Sequence, residues 1–335
     1  MSARLARSAS LPQPAGWPAS ALTEFEILDA ACTVRRATIK PAMCGHNSLF
    51  IGQIGDWTWE TVGALCGTDV FGARTQQGWP AYLAFYYFHV RASTAAHLRR
   101  FTFGDRIEVI SRVFGFGSES VLTLHRIEPA GAATAKPPWF TPAEFYDAPR
   151  PDCLYVENFN RWVTRGSAPG NQALLKASPP AFRHEHLPSL DGRYSPRLAA
   201  SRARSTYTFR DPVSGGADSL IAENFSVEYP LDVCRDFNGV GLVYFAAYFS
   251  ILDWALLRLW RHFGRSDQSF MNRVVLDHKV CYLGNADVGT TLDIGMTAWL
   301  ACDDRSEVVD TVIRDRGDRR VIAVSTMQIA AGAAS

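Results

Sequence analysis

A mixed α+β chain in two similar halves, each an antiparallel sheet wrapping a central helix, is the fold class that three observations predict. The polar turn Cys44-Gly45-His46-Asn47-Ser48 opens an apolar stretch that ends near Cys66. A second polar turn, Arg235-Asp236-Phe237-Asn238-Gly239, opens a longer apolar stretch that ends near Phe263. Each stretch is followed by several β-rich runs separated by Gly/Asp turns. One strand, one buried helix and a wrapping antiparallel sheet is the plan of a hot-dog domain, so two copies make a double hot-dog. Identity between the halves is low, and the repeat is one of architecture rather than of residues. That fold usually handles acyl thioesters, but a fold does not supply a function and the site needs its own argument.

The elements follow in order. Residues 1–28 hold Arg4, Arg7, Pro and Ser without an apolar core segment, and read as a disordered tail rather than a secretory signal. Residues 29–150 form the first hot-dog domain. Cys32–Lys40 is β-rich and makes its first strand. Over 48–66 the apolar residues Leu49, Phe50, Ile54, Trp57, Val62 and Leu65 recur at helical spacing. Gly52, Gly55 and Gly63 weaken that helix by propensity but permit close approach of another backbone. Tyr82–Ser93, Asp105–Phe114 and Ser120–Glu128 are strands rich in Val, Ile, Phe and Tyr, and Pro129 to Pro149 is irregular. Residues 151–205, with Asn158-Phe159-Asn160, Gly166, Pro169, Gly170 and three further prolines, read as a linker wrapping the two halves. Residues 206–335 form the second domain. It has a strand at Leu220–Tyr229, a helix over 240–263 that is apolar on nearly every face, and strands at Arg273–Tyr282, Thr290–Cys302, Glu307–Arg314 and Arg320–Ile329. Gly284–Asp287, Asp303-Asp304 and Arg316-Gly317-Asp318 supply the turns.

Composition narrows the function classes. The 335 residues are 47% hydrophobic and 20% charged, ordinary for a chain with a real core. A net charge of +1 gives no bulk attraction to nucleic acid or anionic membrane. The most apolar run, Val240–Leu252, is too short to span a bilayer. Seven scattered cysteines without a C-x-x-C argue for buried thiols in a reducing compartment, with neither a disulfide framework nor a structural metal site. The expectation is a soluble, cytoplasmic protein.

Candidate chemistry begins at the two helix starts. His46 and Asn47, and Asp236 and Asn238, stand beside Gly45, Gly239 and Gly241. Such residues cap helices, and the amide groups left over favour a developing negative charge, so a thioester carbonyl placed there gains an oxyanion hole. For either turn alone plain capping is the commoner reading, and their pairing in a double hot-dog favours a functional role for at least one. Acids are few: Asp56 and Glu60, an i, i+4 pair that reads as a solvated face, and Asp253. Neither the dehydratase pattern H-x-x-x-G-x-x-x-x-P nor the hydratase pattern D-x-x-x-x-N-x-x-H is present. Gly-rich phosphate loops, G-x-S-x-G and H-E-x-x-H are absent, and His184-Glu185-His186 reads as a solvated loop. The run Gly78–Phe88 places Tyr82, Ala84, Tyr86 and Phe88 on one strand face and Leu83, Phe85 and Tyr87 on the other. Tyrosine can be a covalent nucleophile when activated, though strand tyrosines are commonly packed and hydrogen-bonded.

At Cys44–Glu60, with "GDWTWE", at Gly78–Phe88, with a G-x-x-x-Y-x-A-F run, and at Asp236–Tyr248, "DFNGVGLVYFAAY", the chain resembles the bifunctional acyltransferase/decarboxylase family of leinamycin-type polyketide biosynthesis, the LnmK type. The resemblance spans roughly residues 30 to 330. It implies a double hot-dog that takes methylmalonyl-CoA, loads and decarboxylates the acyl group, and delivers propionyl to an acyl carrier protein. It implies no cofactor beyond the coenzyme A thioester that serves as substrate. The family's catalytic tyrosine falls on Tyr82. Asn238 is then expected to act with it, and His46, Asn47, Gly239, Gly241 and Tyr86 to bind substrate. Decarboxylating a malonyl-type thioester needs a dry site and donors for the enolate oxygen rather than a general base, which accords with the scarcity of acids. A hot-dog thioesterase or dehydratase, and a non-catalytic module that docks a carrier protein, remain the alternatives. The sequence leaves open the acyl group, the carrier protein and the oligomeric state, a homodimer included.

Overall fold

Each half begins with a strand that feeds the central helix. In the computed structural model, which describes residues 23–44, 47–131, 140–165, 170–210, 218–302 and 305–330, these strands are Cys32–Thr38 (β2), preceded by Glu24–Asp29 (β1), and later Ser219–Pro230 (β8). The helices are Asn47–Cys66 (α1) and Ala247–His262 (α4). After α1 come Tyr82–Arg91 (β3), Arg106–Gly115 (β4), Ser120–Pro129 (β5) and Leu154–Thr164 (β6). After α4 come the short helix Asp267–Asn272 (α5) and strands Val275–Tyr282 (β9), Thr291–Leu300 (β10), Ser306–Asp315 (β11) and Val321–Ala330 (β12). Between the halves lie Pro142–Tyr146 (α2), Leu175–Lys176 (β7) and Pro196–Thr206 (α3).

The strand order is β1-β2-β4-β5-β6-β3-β9-β12-β11-β10-β8, with every pairing antiparallel. From the outside inward, β2-β4-β5-β6-β3 repeats as β8-β10-β11-β12-β9. The architectural repeat is therefore a topological one. The two expected sheets are a single sheet, joined edge to edge where β3 pairs with β9 over Tyr87–Arg91 and Asp277–Cys281. Pairing the two inner edges removes the exposed ladder that either half would otherwise present.

Both helices lie in one shared core. Phe50, Ile51 and Ile54 of α1 and Phe249, Leu252 and Leu256 of α4 join apolar residues from strands of both halves in a continuous buried cluster. Under α1 a buried polar network fixes the helix: Thr58 Oγ1 lies 2.9 Å from His125 Nε2, Asn158 Nδ2 donates to Thr58 at 2.6 Å, and Ser111 Oγ lies 2.8 Å from His125 Nδ1. Burial, with a smaller contribution from the Arg35 charge, pushes the His125 pKa down to about 3, so this imidazole stays neutral.

Several expectations are corrected. Glu24–Asp29 pairs with β2, so the last residues of the expected tail are a strand. Leu154–Thr164, expected as linker, is the strand between β5 and β3, buried along nearly its whole length. Of the rest of that stretch, Phe182 and Leu187 pack with Val62 and Cys66 of α1, and Ala200 and Ala203 join Phe140, Phe145 and Phe209 in a separate cluster with Cys281 and Val324 from the second half. The second helix starts at Ala247 rather than 240. Within β3 the alternation breaks at Tyr86: Phe85 faces Asn160 and Tyr87 faces Phe159, leaving Tyr86 as an extra residue. This bulge flips the faces, so Phe85 and Phe88 both enter the helix-side core while Tyr86 and Tyr87 both turn to the outer cluster. Of the seven thiols, all free, Cys234 and Cys302 are exposed and Cys44 is half-buried. Gly45, His46, Gly166, Pro169 and Asp303-Asp304 lie outside the described residues.

Candidate active site

Beyond their paired segment β3 and β9 part, and a cavity of about 530 Å³ opens between Tyr82–Tyr86 on one side and Tyr282–Asn285 on the other. Helix α1 contributes Gly55, Asp56 and Trp59, and the loop before α4 contributes Asn238, Gly239 and Tyr244. Two of the three glycines of α1 explain how these parts meet. A Cβ on Gly55 would lie 2.2 Å from the Phe245 ring, and one on Gly52 would lie 3.0 Å from the Tyr244 hydroxyl. The close approach is thus to the 244–245 loop of the second half. Phe245 in turn stacks on Phe85, with ring centroids 3.9 Å apart.

The 236–246 loop is built by its polar residues. Buried Asp236 accepts hydrogen bonds from the Asp232 amide at 2.7 Å and the Tyr229 hydroxyl at 3.2 Å. Asn238 Oδ1 accepts from the amides of Val240 and Leu242, and the Gly241 amide donates to the Asn238 carbonyl. Neither residue caps α4, whose first turn carries no side-chain cap. Of the Gly239–Gly241 amides expected to form an oxyanion hole, those of Val240 and Gly241 are spent inside the loop. Gly241, with φ of +73°, gives its carbonyl to Asn171 Nδ2 at 2.8 Å. With Asn238 Oδ1 committed, its Nδ2 is the group left to act as a donor at the cavity.

The expected site residues separate accordingly. Tyr82, Tyr86, Asn238 and Gly239 line the one cavity; Gly241 shapes the loop behind it. Asn47 begins α1, and neither its side chain nor His46 is among the described groups. Tyr82 is half-buried. Tyr86 accepts a hydrogen bond from Arg204 at 2.8 Å, and the Arg161 guanidinium lies 4.1 Å over its ring.

Two residues come to the cavity that the sequence did not single out for it. Asp56, read above as a solvated face, opens on the cavity, while Glu60 turns away to a 2.6 Å ion pair with Arg35. Desolvation, and then the Glu60 charge, raises the Asp56 pKa. Burial and the nearby Asp56 push the Tyr244 phenol up to about 12. Tyr248, on the first turn of α4, is 1% exposed and borders the cavity; its hydroxyl is occluded and has no hydrogen-bond partner among the described residues. Burial raises its pKa, so it is a neutral donor. Its position in "DFNGVGLVYFAAY" was legible, but its direction depended on where the helix starts. The His184-Glu185-His186 cluster lies elsewhere, and no group of three or more potential metal ligands occurs among the described residues.

The LnmK N-terminal hot dog fold domain matches residues 34–212, more than half of the chain. The chain belongs to the LnmK hot-dog family. The match spans α1, β3 to β6 and α3, and so includes Tyr82, Asp56 and the Arg161 and Arg204 pair. No curated protein matches the sequence. Among solved structures, this LnmK-family chain is similar to a 12:0-ACP thioesterase from Umbellularia californica, with 10% identity, TM-score 0.55, and 89% of this chain and 93% of that one covered. It is also similar to a protein described as an oleoyl thioesterase from Lactobacillus plantarum, with 12% identity, TM-score 0.55, and 90% and 97% covered. At such identities the likeness is one of fold. No described helix is long and apolar enough to cross a membrane.

Proposed function

We propose that the chain is a double hot-dog acyltransferase/decarboxylase of polyketide assembly, which takes methylmalonyl- or malonyl-CoA and delivers propionyl or acetyl to an acyl carrier protein. The observation that carries this reading is the content of the cavity. It is lined by neutral donors, Tyr82, Tyr248 and Asn238, and by the cations Arg161, Arg204 and Lys176, and Asp56 is the one carboxylate among its described lining residues. That set suits a reaction in which negative charge develops and no strong base is required.

In this mechanism the Tyr82 oxygen attacks the thioester carbonyl, its proton goes to the departing CoA sulfur, and an acyl-tyrosine ester forms. The bond between the α-carbon and the carboxylate carbon then breaks. Its electron pair moves into the ester as an enolate, CO2 leaves, and the α-carbon takes a proton from water or from protonated Asp56. The carrier's thiol finally takes the acyl group and returns the phenol proton. Arg161 and Arg204 supply the positive potential that holds the substrate carboxylate, and Tyr248 and Asn238 donate to the enolate oxygen. An apolar surround disfavours the localised carboxylate more than the delocalised enolate.

Asp56 favours one second reading, a thioesterase. A carboxylate of raised pKa on the central helix is placed to activate water against the same carbonyl. The two readings part on products and on variants. With methylmalonyl-CoA and a carrier protein, the first predicts CO2 release and acylated carrier by intact-mass spectrometry, both abolished by Tyr82→Phe and slowed by Asp56→Asn. The second predicts free acid, abolished by Asp56→Asn and retained in Tyr82→Phe. Neither CO2 nor free acid from any acyl-CoA would leave only a carrier-docking module.

A further inference from the structure

Residues 161–210 hold nine Lys and Arg against two Asp and Glu, a net charge of +7 inside a chain of +1. Among the described residues of the rest of the chain, thirteen Lys and Arg pair with carboxylates. Here seven of the nine, namely Arg161, Arg165, Lys176, Arg183, Arg197, Arg202 and Arg204, make no ion pair among the described residues, and only Arg193 and Arg210 pair with carboxylates. The charge is not diffuse. Arg161, Lys176 and Arg204 line the mouth of the cavity, and Arg204 belongs to α3, the amphipathic helix that lies over the outer sheet face. Arg197 and Arg202 stand exposed on the same helix, and Arg197 is braced by a 2.8 Å bond to the Phe116 carbonyl. Between them Leu198 is 61% exposed, and at the cavity mouth Phe71 is 69% exposed. An exposed apolar residue flanked by arginines, without acids, fits the composition of protein interfaces, in which Arg is enriched and Asp and Glu are depleted.

We propose that the outward face of α3 is the docking surface for an acidic acyl carrier protein, held by Arg197, Leu198 and Arg202, so that its phosphopantetheine arm enters the cavity past Arg204. The identity of the partner rests on the acyl-transfer reading above, but the surface is argued from charge and placement. A helix that both rims the cavity and carries unpaired cations positions an acidic partner where its arm can reach the acyl group. Complementary charge of this kind steers encounter and sets register, and weakens with salt.

The test uses the full chain and an acidic acyl carrier protein in its apo form, which carries no phosphopantetheine and cannot react. Binding is followed by titration calorimetry in about 50 mM and about 500 mM salt, spanning strong and weak screening. Arg197→Glu with Arg202→Glu should weaken apo-carrier binding about tenfold or more, as reversal of close interfacial charges does. The same double variant should consume acyl-CoA at the wild-type rate when no carrier is present. Arg316→Glu, a single charge reversal in the β11–β12 turn, should leave carrier binding unchanged. The proposal is overturned if the wild type does not bind the apo carrier at low salt. It is equally overturned if the double variant binds as the wild type does, if Arg316→Glu weakens binding as much, or if the surface retains duplex DNA in preference to the carrier. Failure of the acyl-transfer reading looks different: apo-carrier binding survives and obeys the charge reversals, while no acyl-CoA is turned over.

Discussion

Tyr248→Phe should make the protein more stable and less active. The hydroxyl is buried at the cavity wall, without a partner among the described residues. A buried, unpaired hydroxyl costs roughly 1–3 kcal/mol of desolvation that its removal returns. The ring itself stays: it packs edge-on against Tyr282 with centroids 5.2 Å apart, and Phe preserves that contact and the volume. A chain of 335 residues has an unfolding entropy that converts each kcal/mol into about 1–2 °C of Tm, so the variant should melt about 1–5 °C higher. Activity should move the other way. A donor aimed at an enolate acts mainly in the transition state, so its loss lowers kcat, by about tenfold to a hundredfold for one oxyanion donor, with little change in KM. Differential scanning fluorimetry and steady-state CO2 release give the two readouts. A lower Tm would mean that the hydroxyl is bonded in the folded protein. A higher Tm with unchanged kcat would mean that the hydroxyl faces the cavity without taking part in the reaction.

Two more predictions rest on geometry outside the reacting groups. Gly55→Ala gains about 1 kcal/mol of helix propensity but places a methyl 2.2 Å from Phe245, whose ring is already stacked on Phe85; overpacking of this kind costs about 1–3 kcal/mol. The expected outcome is a net loss of about 0–2 kcal/mol in urea unfolding, together with reduced turnover, and a plain gain in stability would refute the close approach. The second concerns His89 on the outer face, buried between Asp277 at 2.7 Å and Glu157 at 3.4 Å. Burial alone would lower its pKa, but the Asp277 charge and the hydrogen bonds to both carboxylates outweigh it, and the folded pKa is raised. The stabilisation is therefore fully present below the unfolded value near 6.5 and is lost as pH rises through the folded pKa. Melting curves should fall across that upper range, and His89→Gln should flatten the slope; an unchanged slope would place the pH dependence elsewhere.

Much of the fold was legible because hydrophobic period and turn chemistry point the same way at most elements. Helix α1 and strands β3, β4, β5, β9, β10, β11 and β12 fall within a few residues of the runs that announced them. The largest omission, β6, contained its own warning. The second half showed four strands after its helix and the first only three, and a true repeat requires a fourth. Asn158-Phe159-Asn160 disguised it, because asparagines read as loop when water is assumed around them. In the fold Asn158 is fully buried and its Nδ2 donates to Thr58, while its Oδ1 has no partner among the described residues, so the asparagine sits in the sheet–helix space and not in solvent.

The site was legible as a list and less so as an arrangement. Tyr82 and Asn238 were marked by pattern, and both reach the cavity, but Asn238 does so as a turn-builder, because the apolar run after it belongs first to a loop. Hydrophobicity alone cannot separate an apolar loop from the helix it leads into. Asn238 accepting from two amides of its own loop shows why the chain does not begin to coil there: the side chain competes for the backbone groups that a helix would use. Asp56 was read only as part of a solvated face, for a different reason. On α1, Gly52, Gly55, Asp56 and Trp59 recur at i, i+3, i+4 and i+7, a second stripe beside the apolar one. Two glycines in such a stripe signal that another backbone comes close, so a carboxylate within it, though solvent-exposed, stands at the rim of the space that the two segments enclose. The approaching segment, Tyr244-Phe245, lies almost 200 residues away, so the cavity exists only once the two halves share one sheet.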